Sequence, residues 1–226
     1  MPDYSKWSTY GGSSEEHTYR EVPKDVLVPL PPYNERIEKA KSANYNPAEV
    51  YSVDYMGSYT SGAQDSGSHP GVDIRVPQGT PVRSIANGVV ESVRDDVSGF
   101  GKLIVIRHAH MPDPENPEYE TVLHSAYAHL SAQLVSEGDT VQKGQLIALS
   151  GKTGDATGPH LHFQIDRDTA PWHPYWPFSG ADLRQAGLTT FKAINTAFHQ
   201  TEGYTYTVNP VLLAQADFPP AKYQSA

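Results

Sequence analysis

Gly158-Pro159-His160-Leu161-His162-Phe163-Gln164-Ile165 decides the architecture of this chain. Side chains alternate across a strand, so His160, His162 and Gln164 share one face and Leu161, Phe163 and Ile165 the other. The apolar row can anchor the strand on a core while the imidazole pair looks into a cleft. Far upstream stands His69-Pro70-Gly71-Val72-Asp73. Two imidazoles and one carboxylate, with a fourth position left to water, make the donor set of a catalytic zinc site.

Outward from that strand, the chain between 67 and 168 reads as short strands separated by glycine-containing turns. Pro81–Asp95, Leu103–Arg107, Thr121–Leu130, Gln145–Leu149 and His160–Asp166 carry the Val/Ile/Leu runs or alternation of strands. Such closely spaced turns favour an antiparallel sandwich over alternating strand and helix. The predicted fold class is therefore mainly β. An antiparallel β-sandwich-like core is expected, with a non-regular amino-terminal segment and a small helical carboxy-terminal tail. Gly151, Gly154 and Gly158 allow positive φ and tight turns that bring the His160 strand alongside the metal. Met111 to Glu118, with prolines at 112, 114 and 117, is a loop. It reads first as ordinary surface and second as a wall of the cleft.

Two extensions flank this domain. Residues 1–66 are polar yet hold eight of the 14 tyrosines, too aromatic for a purely disordered tail. A short helix is predicted over Glu35–Ser42, with Asn34 as its N-cap. The segment is expected to pack on the domain without being needed for the core fold. In 169–226, Pro171, Pro174 and Pro177 rule out a regular element around Trp172–Phe178. Ser179 and Asp182 form a capping-box start to a helix around 181–186 that breaks at Gly187. A second helix is predicted over Thr189–Gln200, with Phe191, Ile194 and Phe198 together on a buried face.

Composition narrows the chemistry. The chain has 226 residues, no cysteine and a formal charge of −9. Thiolate sites and disulfides are excluded, which leaves histidine and carboxylate as ligands. An acidic surface argues against nucleic acid as a partner. It also gives no electrostatic help towards an anionic cell wall. No apolar run is long enough to span a membrane. The amino terminus lacks the basic-then-apolar pattern of a leader, and an export signal removed from the chain is the expectation.

Three histidine groups compete for a metal: His160 with His162, His108 with His110, and His124 with His129. Spacing alone favours either His-x-His pair. Context favours the first, which has Gly154 to Pro159 on one side and an amphipathic strand on the other. His108 and His110 run into Met111-Pro112 and look like a strand end. His110, His124, His17, His173 and His199 read as structural or solvated. Tyr127 falls on the His129 face by alternation, with a weak claim on substrate.

The order His-x-x-x-Asp, Tyr127-Ala128-His129-Leu130, Gly-Pro-His-Leu-His-Phe resembles the lysostaphin-type (LytM-type) zinc metallopeptidases that cut bacterial peptidoglycan peptides. Gly79-Thr80-Pro81-Val82, Gly88-Val89-Val90, Gly99-Phe100-Gly101, Gly138 to Gly144 and Gly151-Lys152-Thr153-Gly154 add to the likeness. Lys102 departs from it, since many relatives carry Asn there. The resemblance implies His69, Asp73 and His162 as ligands of one Zn2+ per chain, with His129 and His160 as catalytic non-ligands. It implies a zinc-dependent endopeptidase acting on stem or cross-bridge peptides, extracytoplasmic and monomeric. The metal would lower the pKa of a water towards about 7 and polarise the carbonyl, while one imidazole takes a proton and the other steadies charge. The alternative is a non-catalytic wall- or partner-binding module on the same fold. Glu137 to Leu146 also resembles a biotinyl or lipoyl hairpin, but the methionines (1, 56 and 111) leave it no Met-Lys-Met tip.

Overall fold

The computed structural model describes residues 51–116 and 119–210. The helix expected at Glu35–Ser42, His17, and the tyrosines ahead of 51 lie outside the described residues. Two antiparallel sheets make up the core. In chain order the larger sheet uses β1 (Tyr51–Val53), β2 (Val72–Ile74), β4 (Gly88–Asp95), β5 (Lys102–Pro112), β6 (Glu120–Ala128), β8 (Thr140–Val141), β10 (Leu161–Arg167) and β11 (Thr207–Val208). Its spatial order is β1-β2-β10-β6-β5-β4-β8, with β11 also pairing β10. The smaller sheet is β3 (Pro81–Arg83), β9 (Leu146–Leu149) and β7 (Ala132–Gln133), ordered β3-β9-β7.

The main core lies between the sheets. Ile104, Ile106, Tyr127, Leu161, Phe163 and Ile165 of the larger sheet meet Val82, Ile147 and Ala148 of the smaller. The expected apolar row of β10 is thus the buried one, and truncating a residue such as Phe163 would cost about 3–5 kcal/mol. Leu103, Val105, Ala126 and Ala128 form a second apolar cluster with Phe100. They alternate with the first set along β5 and β6, so they lie on the opposite face of the sheet. That face carries the functional cleft.

The single strand expected over Pro81–Asp95 is two, β3 and β4, and they belong to different sheets. Between them the Ser84 hydroxyl donates to the Ala86 carbonyl at 2.6 Å, closing a local turn that a continuous ladder would not allow. β5 runs on through His108 and His110 instead of stopping at Arg107. The loop beyond it sits at the far end of the β5–β6 hairpin, where Met111 pairs Thr121. None of its described residues lines the cleft. Of Gly151, Gly154 and Gly158, Gly154 uses positive φ, at 68°.

Ahead of 67, β1 pairs β2, and Tyr55 and Met56 are buried in the main core. After β10, α1 (Gly180–Ala186) starts at Ser179 with the full capping box to Asp182 and ends on left-handed Gly187, as its sequence signals. The second helix does not hold as one piece. α2 (Thr190–Asn195) stops at Thr196, and α3 (Gln200–Tyr206) begins only after Ala197 and His199 take positive φ. The face expected for it is kept only in part. Ile194 is buried and Phe198 packs against it, but Phe191 is 58% exposed.

Candidate metal centre

His69 precedes β2, Asp73 sits within it, and His162 lies opposite Asp73 on β10. That register brings residues far apart in sequence to one point. One nitrogen or oxygen from each of His69, Asp73 and His162 falls within 4.8 Å of the others, and all three residues are buried. Gly71 makes room. A Cβ there would stand 2.9 Å from Cε1 of His162 and 2.7 Å from the Phe163 carbonyl.

Hydrogen bonding fixes where the ring protons lie. His69 Nδ1 is 3.0 Å from the Gly71 carbonyl, which can only accept, so Nδ1 carries the proton. His162 Nε2 is 3.0 Å from Gln164 Oε1 and is the protonated nitrogen of that ring. The remaining nitrogens, His69 Nε2 and His162 Nδ1, are 3.1 Å apart. Asp73 Oδ1 lies 3.3 Å from the first and 3.0 Å from the second. Three lone-pair donors therefore converge with no proton among them, an arrangement that a cation stabilises and that suits a borderline-soft divalent metal. The cluster is capable of coordinating a metal ion, and the donor set is consistent with zinc. Burial lowers the His162 pKa.

His160 and His129 stand beside this group, their rings 4.6 Å apart. Each is pinned through Nδ1 to a carbonyl: His160 to Gly158 at 2.9 Å, and His129 to Thr153 at 2.9 Å. Each therefore leaves its Nε2 without a proton and able to accept one. His160 Nε2 lies 3.7 Å from Asp73 Oδ1, next to the ligand atoms without joining them. Burial, then the neighbouring His162 and His160, lower the His129 pKa to about 4.

His129 reaches this side by a route that alternation does not give. Its φ of 58° turns the chain at the end of β6. Tyr127 stays in the main core, stacked on Phe163 at 5.3 Å, its hydroxyl accepting from the Ile85 N–H. The shared face expected for Tyr127 and His129 does not exist. Thr153, which holds His129, is itself fixed by Gly154, where a Cβ would stand 2.4 Å from Gly101 N and from the Gly99 carbonyl. Lys102, the departure from the family phrase, opens β5, and its ammonium pairs with Asp95.

The other described histidines are engaged elsewhere. His108 is fully buried, donating to the Asn87 carbonyl at 2.8 Å and accepting from Ser125 Oγ at 2.7 Å. His110 pairs with Glu120 at 2.6 Å. Both nitrogens of His124 face carboxylates, Glu91 at 2.7 Å and Asp168 at 2.9 Å, and the ring stacks on His173 at 3.6 Å. His199 lies 3.4 Å from Glu202.

Around the metal group lies a cleft of about 610 Å³. Sequence patterns did not reveal its aromatic wall. Tyr59 stacks on Phe191 at 5.6 Å, and Trp176 stands edge-on to Phe100 at 5.5 Å. Only Phe100 lies in the domain bearing the motifs. The proline-rich stretch around Trp176 was the available sequence signal, and it names no cleft without the tertiary fold.

Comparison with known proteins bears on the same region. Residues 67–174 match peptidase family M23. An uncharacterized metalloprotease of Haemophilus influenzae is 49% identical over 97 residues, covering 43% of this chain and 18% of that protein. The DD-carboxypeptidase/endopeptidase Mpg of Neisseria meningitidis is 39% identical over 126 residues, covering 55% and 26%. The chain thus spans about a quarter or less of these relatives' length. Among solved structures, the catalytic domain of lysostaphin from Staphylococcus simulans is 36% identical, covering 45% of this chain and 68% of that one, with a TM-score of 0.37.

Proposed function

We propose that this chain, whose residues 67–174 form a domain of the M23/LytM-type metallopeptidase superfamily, is a zinc-dependent endopeptidase. Its substrate would be the stem or cross-bridge peptides of peptidoglycan, met outside the cytoplasm by a monomer. One observation carries the metal reading: three proton-free donors converge from His69, Asp73 and His162. Bound zinc would supply the Lewis acidity that lowers the pKa of a water and polarises the scissile carbonyl.

The chain's own residues do the rest. His129 and His160 face the cleft, each with Nδ1 held by a main-chain carbonyl and Nε2 as the nitrogen left to accept. One takes the proton of the attacking water and passes it to the departing amine. The other accepts a second hydrogen bond from the nucleophilic water and orients it. Their Nδ1 bonds to main-chain carbonyls hold both rings in the required tautomer, so little reorganisation is needed during reaction. The aromatic wall gives the bound peptide an apolar surface, in keeping with a chain whose net charge repels an anionic wall.

Purified walls of different cross-link chemistry, digested with zinc-loaded protein and analysed by mass spectrometry, test the proposal. New peptide termini should appear, and should vanish with chelator and in His160→Ala. Zinc-loaded protein that leaves every wall intact would favour the binding-module alternative.

A further inference from the structure

Gln164 is fully buried directly behind His162, and its amide cannot be turned around. Its Nε2 donates to Asp166 Oδ1 at 2.6 Å and to the Tyr175 carbonyl at 2.7 Å, which engages both amide hydrogens. Asp166 is fully buried too, and its Oδ2 accepts from the Tyr175 N–H at 2.7 Å and lies 3.2 Å from His173 Nδ1. Gln164, Asp166 and the Tyr175 backbone thus close a ring of hydrogen bonds with one open acceptor. That acceptor is Oε1, aimed at His162 Nε2.

A free imidazole interconverts between two tautomers, and only one of them offers His162 Nδ1 as a lone pair towards Asp73 and His69. We propose that Gln164, locked by Asp166 and the Tyr175 backbone, is a positioning residue that fixes His162 in its metal-binding tautomer. It also ties metal affinity to the segment that follows the domain's last strand. This inference rests on the zinc reading above. Flipping the amide would set two amide hydrogens against the His162 N–H and an oxygen against Asp166, so the ring of bonds has one polarity. Outer partners of this kind change metal affinity by roughly 10- to 100-fold.

Competition between apo-protein and a chromophoric zinc chelator tests it. Gln164→Met, close in shape but with no acceptor of comparable strength, should bind zinc roughly 10- to 100-fold more weakly than wild type. Gln164→Glu, which keeps an oxygen towards His162, should recover part of that loss. Asp166→Asn, which must set an amide hydrogen against either Gln164 or the Tyr175 N–H, should also weaken binding. Equal affinity of Gln164→Met and wild type would overturn the inference while leaving the zinc reading intact. Wild type that binds no zinc would overturn both. Nitrogen-15 NMR of the zinc-loaded wild type needs no variant to fold. His162 should ligate through Nδ1 and keep an exchange-protected proton on Nε2, and ligation through Nε2 would sink the proposal.

Discussion

The two His-x-His pairs have identical spacing and opposite fates. In His160-x-His162, the nitrogens facing the cleft keep bare lone pairs because carbonyl and amide oxygens hold the protons on the far side of each ring. In His108-x-His110, every contact satisfies the ring locally. His108 spends one nitrogen on the Asn87 carbonyl and the other on Ser125, while His110, at a φ of 57°, pairs with Glu120. Metal competence therefore depends on which lone pairs remain unanswered, and spacing alone does not report that.

The largest difference between the pairs should appear on removing a donor. His162→Ala or Asp73→Ala should abolish stoichiometric zinc binding and hydrolysis, since two donors hold zinc poorly, while His110→Ala keeps both. Metal analysis after dialysis checks this, and full occupancy in His162→Ala would erase the distinction. Next, His160→Ala and His129→Ala should each lower hydrolysis roughly 10²–10⁴-fold with zinc content and fold unchanged. If the two rings act as a unit, the double variant should lose less than the product of the single losses. Zinc loss in His160→Ala would instead make it a ligand.

The second pair should show itself through stability. Burial lowers the His108 pKa to about 4, so the unfolded chain binds a proton that the native ring refuses. Its contribution is complete above pH 6.5 and is lost as pH falls towards 4, by roughly 3 kcal/mol. Denaturant titrations across that window should show the decline, and His108→Gln should flatten it. An equal slope in the variant would mean other groups set the acid limit. His110→Ala should matter least. Its bond to Glu120 is partly exposed, and the change should cost under about 1 kcal/mol.

Much of this was legible where local chemistry decides. The two faces of β10 followed from alternation, and α1 followed from Ser179, Asp182 and Gly187, because a cap acts within one turn. The resemblance supplied the five residues that the fold gathers at the cleft. What escaped notice depends on contacts between distant segments. His129 leaves its strand's alternation through a left-handed turn whose N–H is held by the Phe100 carbonyl. The helix expected over Thr189–Gln200 breaks after Asn195, ahead of the positive φ at Ala197. Neither is written in the periodicity, since no period encodes a single positive φ. Pro81–Asp95 misled for the reverse reason: one apolar run supplied strands to two sheets.

The wall formed by Tyr59, Phe191 and Trp176 divides the molecule's responsibilities in an unusual place. Every side chain proposed for the chemistry lies between 69 and 162, while these three aromatic rings come from outside 67–174. Substitutions of these three rings can therefore reshape what enters the cleft without replacing a proposed ligand or proton acceptor. Residues 67–174 taken alone would lack all three rings, and also the Tyr175 backbone that holds Gln164 and Asp166 behind His162.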